Sequence, residues 1–295
     1  MDQAEGLRNI IKKQEIEPAS QTARVITVTS GKGGVGKTSV SINLAIQLAR
    51  QGKRVVVLDA DFGLANIEIM LGIRPKYNLA DLMFRGKSIQ DIITYGPEGI
   101  GFISGGSGIN EMANLTREQV FQLIQKMYEL DQLADVIIVD TGAGIGDSVL
   151  EFVAASTEVL LVATPEPTSI TDAYALLKSL NRNSSYKRGK TMLKMIANQV
   201  RNDGDADELF EKIGVVVNKF LHIEIEYLGA IPYDENMQKA VMSQEPLSLT
   251  APNSAAARSL YRIAGILENK EIEDIGDGYG IMQFFSRVIR MKFNR

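Results

Sequence analysis

The chain has 295 residues, 45% of them hydrophobic, a net charge of −4, no cysteine and a single histidine. The missing cysteines exclude disulfides, thiolate zinc sites and cluster ligation by thiolate, and the lone His222 supports neither a His-based metal site nor a Ser–His pair. The acidic balance argues against wholesale coating of nucleic acid, and no apolar run reaches the roughly 18 residues of a membrane-spanning helix.

The N-terminal stretch MDQAEGLRNIIKKQEIEP carries acidic residues and lacks an apolar signal core, so it reads as neither an export nor a transit signal. Residues 1–23 form an appendage, with QEIEPASQTA as a polar linker. RVITVTS (Arg24–Ser30) is a β-branched apolar run of the kind that makes a buried parallel strand. A glycine loop follows, then TSVSINLAIQLARQG, with Val40, Leu44, Ile46 and Leu48 at helical spacing and Gly52 as a stop.

The alternation continues through further strands, KRVVVLDAD, DVIIVDTG, TEVLLVATP, MLKMIANQV and IEYLGAIPYD, with helices predicted over Arg117–Leu130, Ser169–Leu180 and Asp205–Lys219. Strands alternating with helices imply parallel strands joined by right-handed crossovers. Residues 24–270 therefore read as one α/β domain of the P-loop type, a mostly parallel twisted sheet flanked by helices. Residues 271–280 form an acidic, glycine-containing linker, and 281–295 form an apolar and basic tail.

GKGGVGKT fits the phosphate-loop pattern G-x-x-x-x-G-K-[ST] and stands between a strand and a helix, as that loop requires. Gly31, Gly33, Gly34 and Gly36 let the backbone wrap closely, and the amides of the loop, Val35 and Ser39 included, can face phosphate oxygens. The helix opening at Lys37 points its positive dipole end at them. Lys37 suits the β- and γ-phosphates, and the Thr38 hydroxyl suits Mg²⁺. Asp59, Asp61 and Asp140 stand at strand ends, where ligands of such sheets bind, and Asp140 suits the magnesium shell. The expected cofactors are ATP or ADP with Mg²⁺.

The second lysine makes the loop more specific. K-G-G-x-G-K-[ST], here Lys32–Thr38, resembles the deviant phosphate loop of the MinD/ParA ATPases, and the resemblance covers residues 24–270. It implies that Lys32 crosses an ATP-dependent homodimer interface to the partner's phosphates. It also implies that Asp61, in DADFGLAN, orients the attacking water, that Asp140, in DTGAG, is the second switch aspartate, and that Asp59 lies near the magnesium. Asn198 and Pro232 match adenine-side positions of that family, and Glu166 matches one that touches the partner's ribose. The stretch ANQVRND carries Gln199 and Arg201 where a guanine-reading signature needs Lys and Asp, which favours adenine. The absent cysteines set aside the cluster-carrying branches.

The two ends narrow the branch. On a helical wheel Ile281, Phe284, Phe285, Val288 and Ile289 share one face while Gln283, Ser286, Arg287, Arg290 and Asn294 share the other. Such a helix suits an anchor on an anionic membrane surface; it equally suits a last helix that packs on the domain, and the two can alternate, docked without ATP and released with it. DQAEGLR, with Asp2, Gln3, Leu7 and Arg8, resembles the N-terminal motif of the flagellar branch, FlhG. That resemblance implies activation of the GTPase FlhF, contact with flagellar C-ring proteins, and a slow regulatory ATPase, cytoplasmic and peripheral on the inner membrane face. A MinD-like division-site ATPase, a ParA-like DNA-segregation ATPase and a nucleotide-gated adaptor with little turnover are the alternatives. Arg182, Lys187, Arg188 and Lys190 form the one dense basic cluster outside the tail.

Overall fold

A computed structural model of the chain describes residues 22–61, 66–106, 117–186, 189–269 and 280–293. Among them lies an eight-stranded sheet: β1 (Arg24–Ser30), β2 (Val55–Ala60), β3 (Thr94–Tyr95), β4 (Gly101–Ile103), β5 (Val136–Ala143), β6 (Glu158–Ala163), β7 (Met192–Val200) and β8 (Glu226–Pro232). The spatial order is β3-β4-β2-β5-β1-β6-β7-β8. Every pairing is parallel except that of β3 with β4.

The helices are α1 (Lys37–Arg50), α2 (Asn66–Leu71), α3 (Leu79–Phe84), α4 (Ile89–Ile92), α5 (Arg117–Leu133), α6 (Asp147–Ala155), α7 (Pro167–Arg182), α8 (Asp203–Leu221), α9 (Glu235–Ser243), α10 (Leu247–Thr250), α11 (Ala255–Asn269) and α12 (Ile281–Phe293). They cover both faces of the sheet, which is why the central strands are apolar without alternation. Successive residues of β5 show it: Ile137 and Val139 join the core beneath α5 to α8, while Val136 and Ile138 join the core beneath α1 and α11.

All six sequence-predicted strands form. The short pair β3 and β4, of two and three residues, carries no periodic signal. The floor of the sheet holds a buried ion network. Glu158, 1% exposed, accepts from Arg24 Nε at 2.7 Å and from Lys194 Nζ at 2.6 Å, which ties β1, β6 and β7 together at the end away from the phosphate loop. His222 ends α8 in a left-handed conformation with φ +55°.

The tail forms α12, and its apolar face lies on the domain against α5 and α6. Ile281, Phe284, Phe285 and Val288 are buried and Ile289 is partly so. The Phe284 ring stacks on Phe152 with centroids 5.7 Å apart and meets Phe285 edge-on at 5.5 Å. Met291, outside the sequence-derived stripe, is buried with them. At the head of the helix the buried Asp131 accepts from Ile281 N at 2.9 Å, and from the backbone amides of Met282 and Ala23. Gly280, at φ +99°, is required there because a Cβ would come within 2.8 Å of that carboxylate.

Candidate nucleotide site

The loop between β1 and α1 ends at Gly36, whose φ of +86° only glycine adopts easily. No side chain caps α1 and its first turn holds no acid, so the amides at its positive end face outward unopposed. Gly31 is fixed for another reason: a Cβ there would lie 2.2 Å from the Asp172 carbonyl carbon, because the backbone of α7 passes directly against the loop.

Beneath the loop, Asp140 is fully buried and gathers the residues that the pattern assigned. Lys37 Nζ donates to its Oδ1 at 3.0 Å, Thr38 Oγ1 to its Oδ2 at 2.7 Å, and Ser41 Oγ to Oδ1 at 2.9 Å. Ser41 carries no motif signal and is legible only as the residue one turn after Lys37. Asp59 stands beside Asp140 in register on the neighbouring strand. Burial, and then the charge of Asp140, push the Asp59 carboxyl up to about 7.

The Asp59 carboxylate also accepts from Asp61 N at 3.1 Å and Ile67 N at 3.4 Å, bracing the segment that carries Asp61. Asp61 in turn accepts from Asn66 Nδ2 at 2.9 Å. Gly144 N donates to Ser30 O at 2.9 Å, so the segment after Asp140 is tied to the start of the phosphate loop.

No group of three or more His, Cys, Asp or Glu residues among the described ones forms a metal cage. Thr38, Asp140 and Asp59 instead offer a hydroxyl and two carboxylates beside the phosphate loop. That oxygen set fits Mg²⁺ carried in by a nucleotide, since the ion takes one or two protein carboxylates and completes its shell with phosphate and water.

Asn198, at the end of β7, donates from Nδ2 to Val35 O at 2.7 Å. That bond fixes the buried Asn198 side chain against the phosphate loop. Pro232 stands beside it, paired with Val200 at the end of β8. Lys32 lies at the edge of the loop, where Nζ meets Glu166 Oε2 at 2.7 Å and Thr168 Oγ1 at 2.8 Å. The two residues that the resemblance gives to the partner's nucleotide therefore engage each other within one chain. Asp2, Gln3, Leu7 and Arg8 lie outside the described residues, as do Lys187 and Arg188.

Comparison with known proteins agrees with the fold. The family model described as ParA, NUBPL iron-transfer P-loop NTPase, matches residues 21–267; the cysteine-free sequence lacks thiolates for cluster ligation. The antiactivator FleN of Pseudomonas aeruginosa is 45% identical over 82% of this chain and 85% of its own. The flagellum site-determining protein YlxH of Helicobacter pylori is 33% identical over 97% and 96%. The structure of the MinC:MinD cell division complex of Aquifex aeolicus superposes with a TM-score of 0.66 at 25% identity, covering 88% of this chain and all of that one. The chain belongs to the FlhG family of MinD/ParA-type P-loop ATPases.

Proposed function

We propose that this ATPase is a nucleotide-controlled switch that sets flagellar number and placement by dimerising with ATP and contacting the membrane reversibly. The observation that carries the reading is Lys32, a second phosphate-loop cation that pairs with Glu166 and Thr168 at the rim of the loop. Lys37 is already turned toward Asp140, whereas Lys32 is held at the rim by Glu166 and Thr168. That rim pair is partly solvated, so it exchanges at small cost for an interaction with a partner's phosphates.

ATP with Mg²⁺ is the proposed ligand. The loop amides and Lys37 bind the phosphates, Thr38 and Asp140 with Asp59 nearby hold the ion, Asn198 and Pro232 border the adenine, and Asp61 orients water for hydrolysis. The ion supplies charge neutralisation at the phosphates. Turnover is slow, acting as a timer.

The apolar face of α12 serves the membrane when the helix leaves its groove on α5 and α6. A single short amphipathic helix holds a bilayer weakly; a dimer presents two, and the second binds at raised effective concentration. The name of the flagellum site-determining protein YlxH supports the flagellar setting. The N-terminal segment, with Asp2, Gln3, Leu7 and Arg8, is proposed to stimulate FlhF, and C-ring proteins are the proposed assembly partners. The chain works in the cytoplasm and on the inner membrane face.

The test measures oligomeric state and flotation with anionic liposomes in parallel, in ADP and in ATP. Wild type should dimerise and float with ATP only. Lys32→Ala should bind nucleotide yet remain monomeric, and removal of 281–295 should abolish flotation while leaving the dimer. Equal flotation with ADP and ATP overturns the reading.

A further inference from the structure

Four residues other than glycine have positive φ among the described residues: Glu98, Gln199, His222 and Gln244. Three have ordinary reasons. His222 and Gln244 terminate α8 and α9 in the left-handed conformation that ends many helices, and Glu98 lies in a tight surface turn. Gln199 differs. It stands inside β7 at φ +58°, where β-structure demands negative φ, and glycine would adopt this conformation without strain.

The strand pairing shows how it arises. Asn198 pairs with Ile231 and Val200 with Pro232, so Gln199 is an extra residue opposite one step of β8. The bulge sends its side chain out of the ladder and across to the phosphate loop. A Cβ on Gly36 would lie 3.7 Å from Gln199 Nε2 and 2.5 Å from Asn198 Nδ2. The Gln199 amide thus rests beside the last glycine of the loop, next to Asn198. Gln199 is exposed, so no core packing forces the conformation.

Strain held at a solvent-facing position beside a ligand site points to use by the ligand. From phosphates on the loop, the nucleoside must run past the carboxyl ends of β7 and β8, where Asn198, Gln199 and Pro232 stand together. We infer that Gln199 is a base-side binding residue of the nucleotide site, bulged out of β7 so that its amide closes over the purine beside Asn198. The inference rests on nucleotide binding at this loop, and adds a base contact that neither the phosphate motif nor Asn198 supplies. It also explains why glycine, the residue favoured by the backbone, does not occupy position 199.

The experiment compares wild type, Gln199→Gly and Gln199→Ala for binding of Mg-ATP and of Mg-tripolyphosphate, which has no base, together with urea stability without nucleotide. Alanine keeps the strain and removes the amide; glycine removes both. Both variants should lose about tenfold in ATP affinity, the order of one hydrogen-bonded contact, with tripolyphosphate affinity unchanged. The urea midpoint of Gln199→Gly should hold or rise. ATP affinity within twofold of wild type in both variants would overturn the inference, as would an equal loss for ATP and tripolyphosphate, which places the effect on the phosphates. Wild type failing to bind ATP would instead overturn the nucleotide reading itself.

Discussion

At the scale of single residues, the strongest electrostatic commitment in the site is that of Lys37 to Asp140. Asp140 is fully buried and accepts from one ammonium and two hydroxyls. A buried charge stripped of its ionic partner costs on the order of 3–5 kcal/mol. Lys37→Met should therefore do more than abolish nucleotide binding: it should lower nucleotide-free stability by roughly 3 kcal/mol in urea denaturation. Adding Asp140→Asn should return most of that loss, because a neutral amide needs no counter-ion. Independent effects of the two changes would show that the pair is not coupled.

Gly31 offers a packing counterpart. A methyl there meets the rigid backbone of α7 at Asp172, so Gly31→Ala should destabilise the fold by on the order of 1–3 kcal/mol, read from the same denaturation. Gly33→Ala, with open space around it, should not. Both glycines are legible in the sequence as members of a phosphate loop. Only the structure separates the one that α7 needs, because the approach of α7 joins residues about 140 positions apart, and no local pattern records it.

At the scale of elements, α12 was legible as an amphipathic helix, and its stripe of Ile281, Phe284, Phe285 and Val288 is the face that is buried. What covers that face was not legible, since one apolar stripe serves a lipid surface or a protein groove equally. The groove is made by α5 and α6, and Asp131 closes its head by receiving the first amides of the helix. The Asp131 carboxyl sits in a desolvated site that pushes it up to about 6 against an ordinary 3.8, with the three amides pulling the other way.

The docked form thus holds a proton more tightly than the undocked or unfolded form. Linkage gives the sign: the resulting stabilisation is fully present below about pH 4 and is lost as pH rises through about 6. Amide exchange over 281–293 should therefore be slower at pH 5 than at pH 7.5 after correction for intrinsic rates. Asp131→Asn keeps an acceptor and cannot ionise, so it should flatten that difference. A pH contrast unchanged in Asp131→Asn would assign it to another group. Phe284→Ala removes the ring that stacks on Phe152, and should raise exchange across the whole of α12 while leaving β1 and β5 protected.

For the whole molecule, the sheet topology concentrates the chemistry at one end and the exits of the chain at another place. The phosphate loop, Asp59, Asp140 and Asn198 stand at the carboxyl ends of β1, β2, β5 and β7, as the alternating pattern implied. Ala23 and Gly280, which open the two ends of the described body, meet at Asp131. No sequence pattern joins position 23 to position 280. Their meeting follows from Asp131, near the end of α5, accepting from the amides of Ala23 and Ile281 alike. The segment proposed to activate FlhF and the helix proposed to reach the membrane are therefore held, in the docked form, at one carboxylate. Loosening that point should affect both. Asp131→Ala should raise amide exchange at 22–25 and at 281–293 together, and should let the full chain float on anionic liposomes with ADP. If peptide 1–23 alone stimulates GTP hydrolysis by FlhF, as the resemblance of DQAEGLR implies, the segment needs only exposure and not a new fold. The full-length Asp131→Ala protein with ADP should then stimulate as well as wild type does with ATP, and Gln3→Ala should abolish stimulation in both. Stimulation by full-length wild type that is equal in ADP and ATP would show that the N-terminal segment is free in every state, and that Asp131 governs the helix alone.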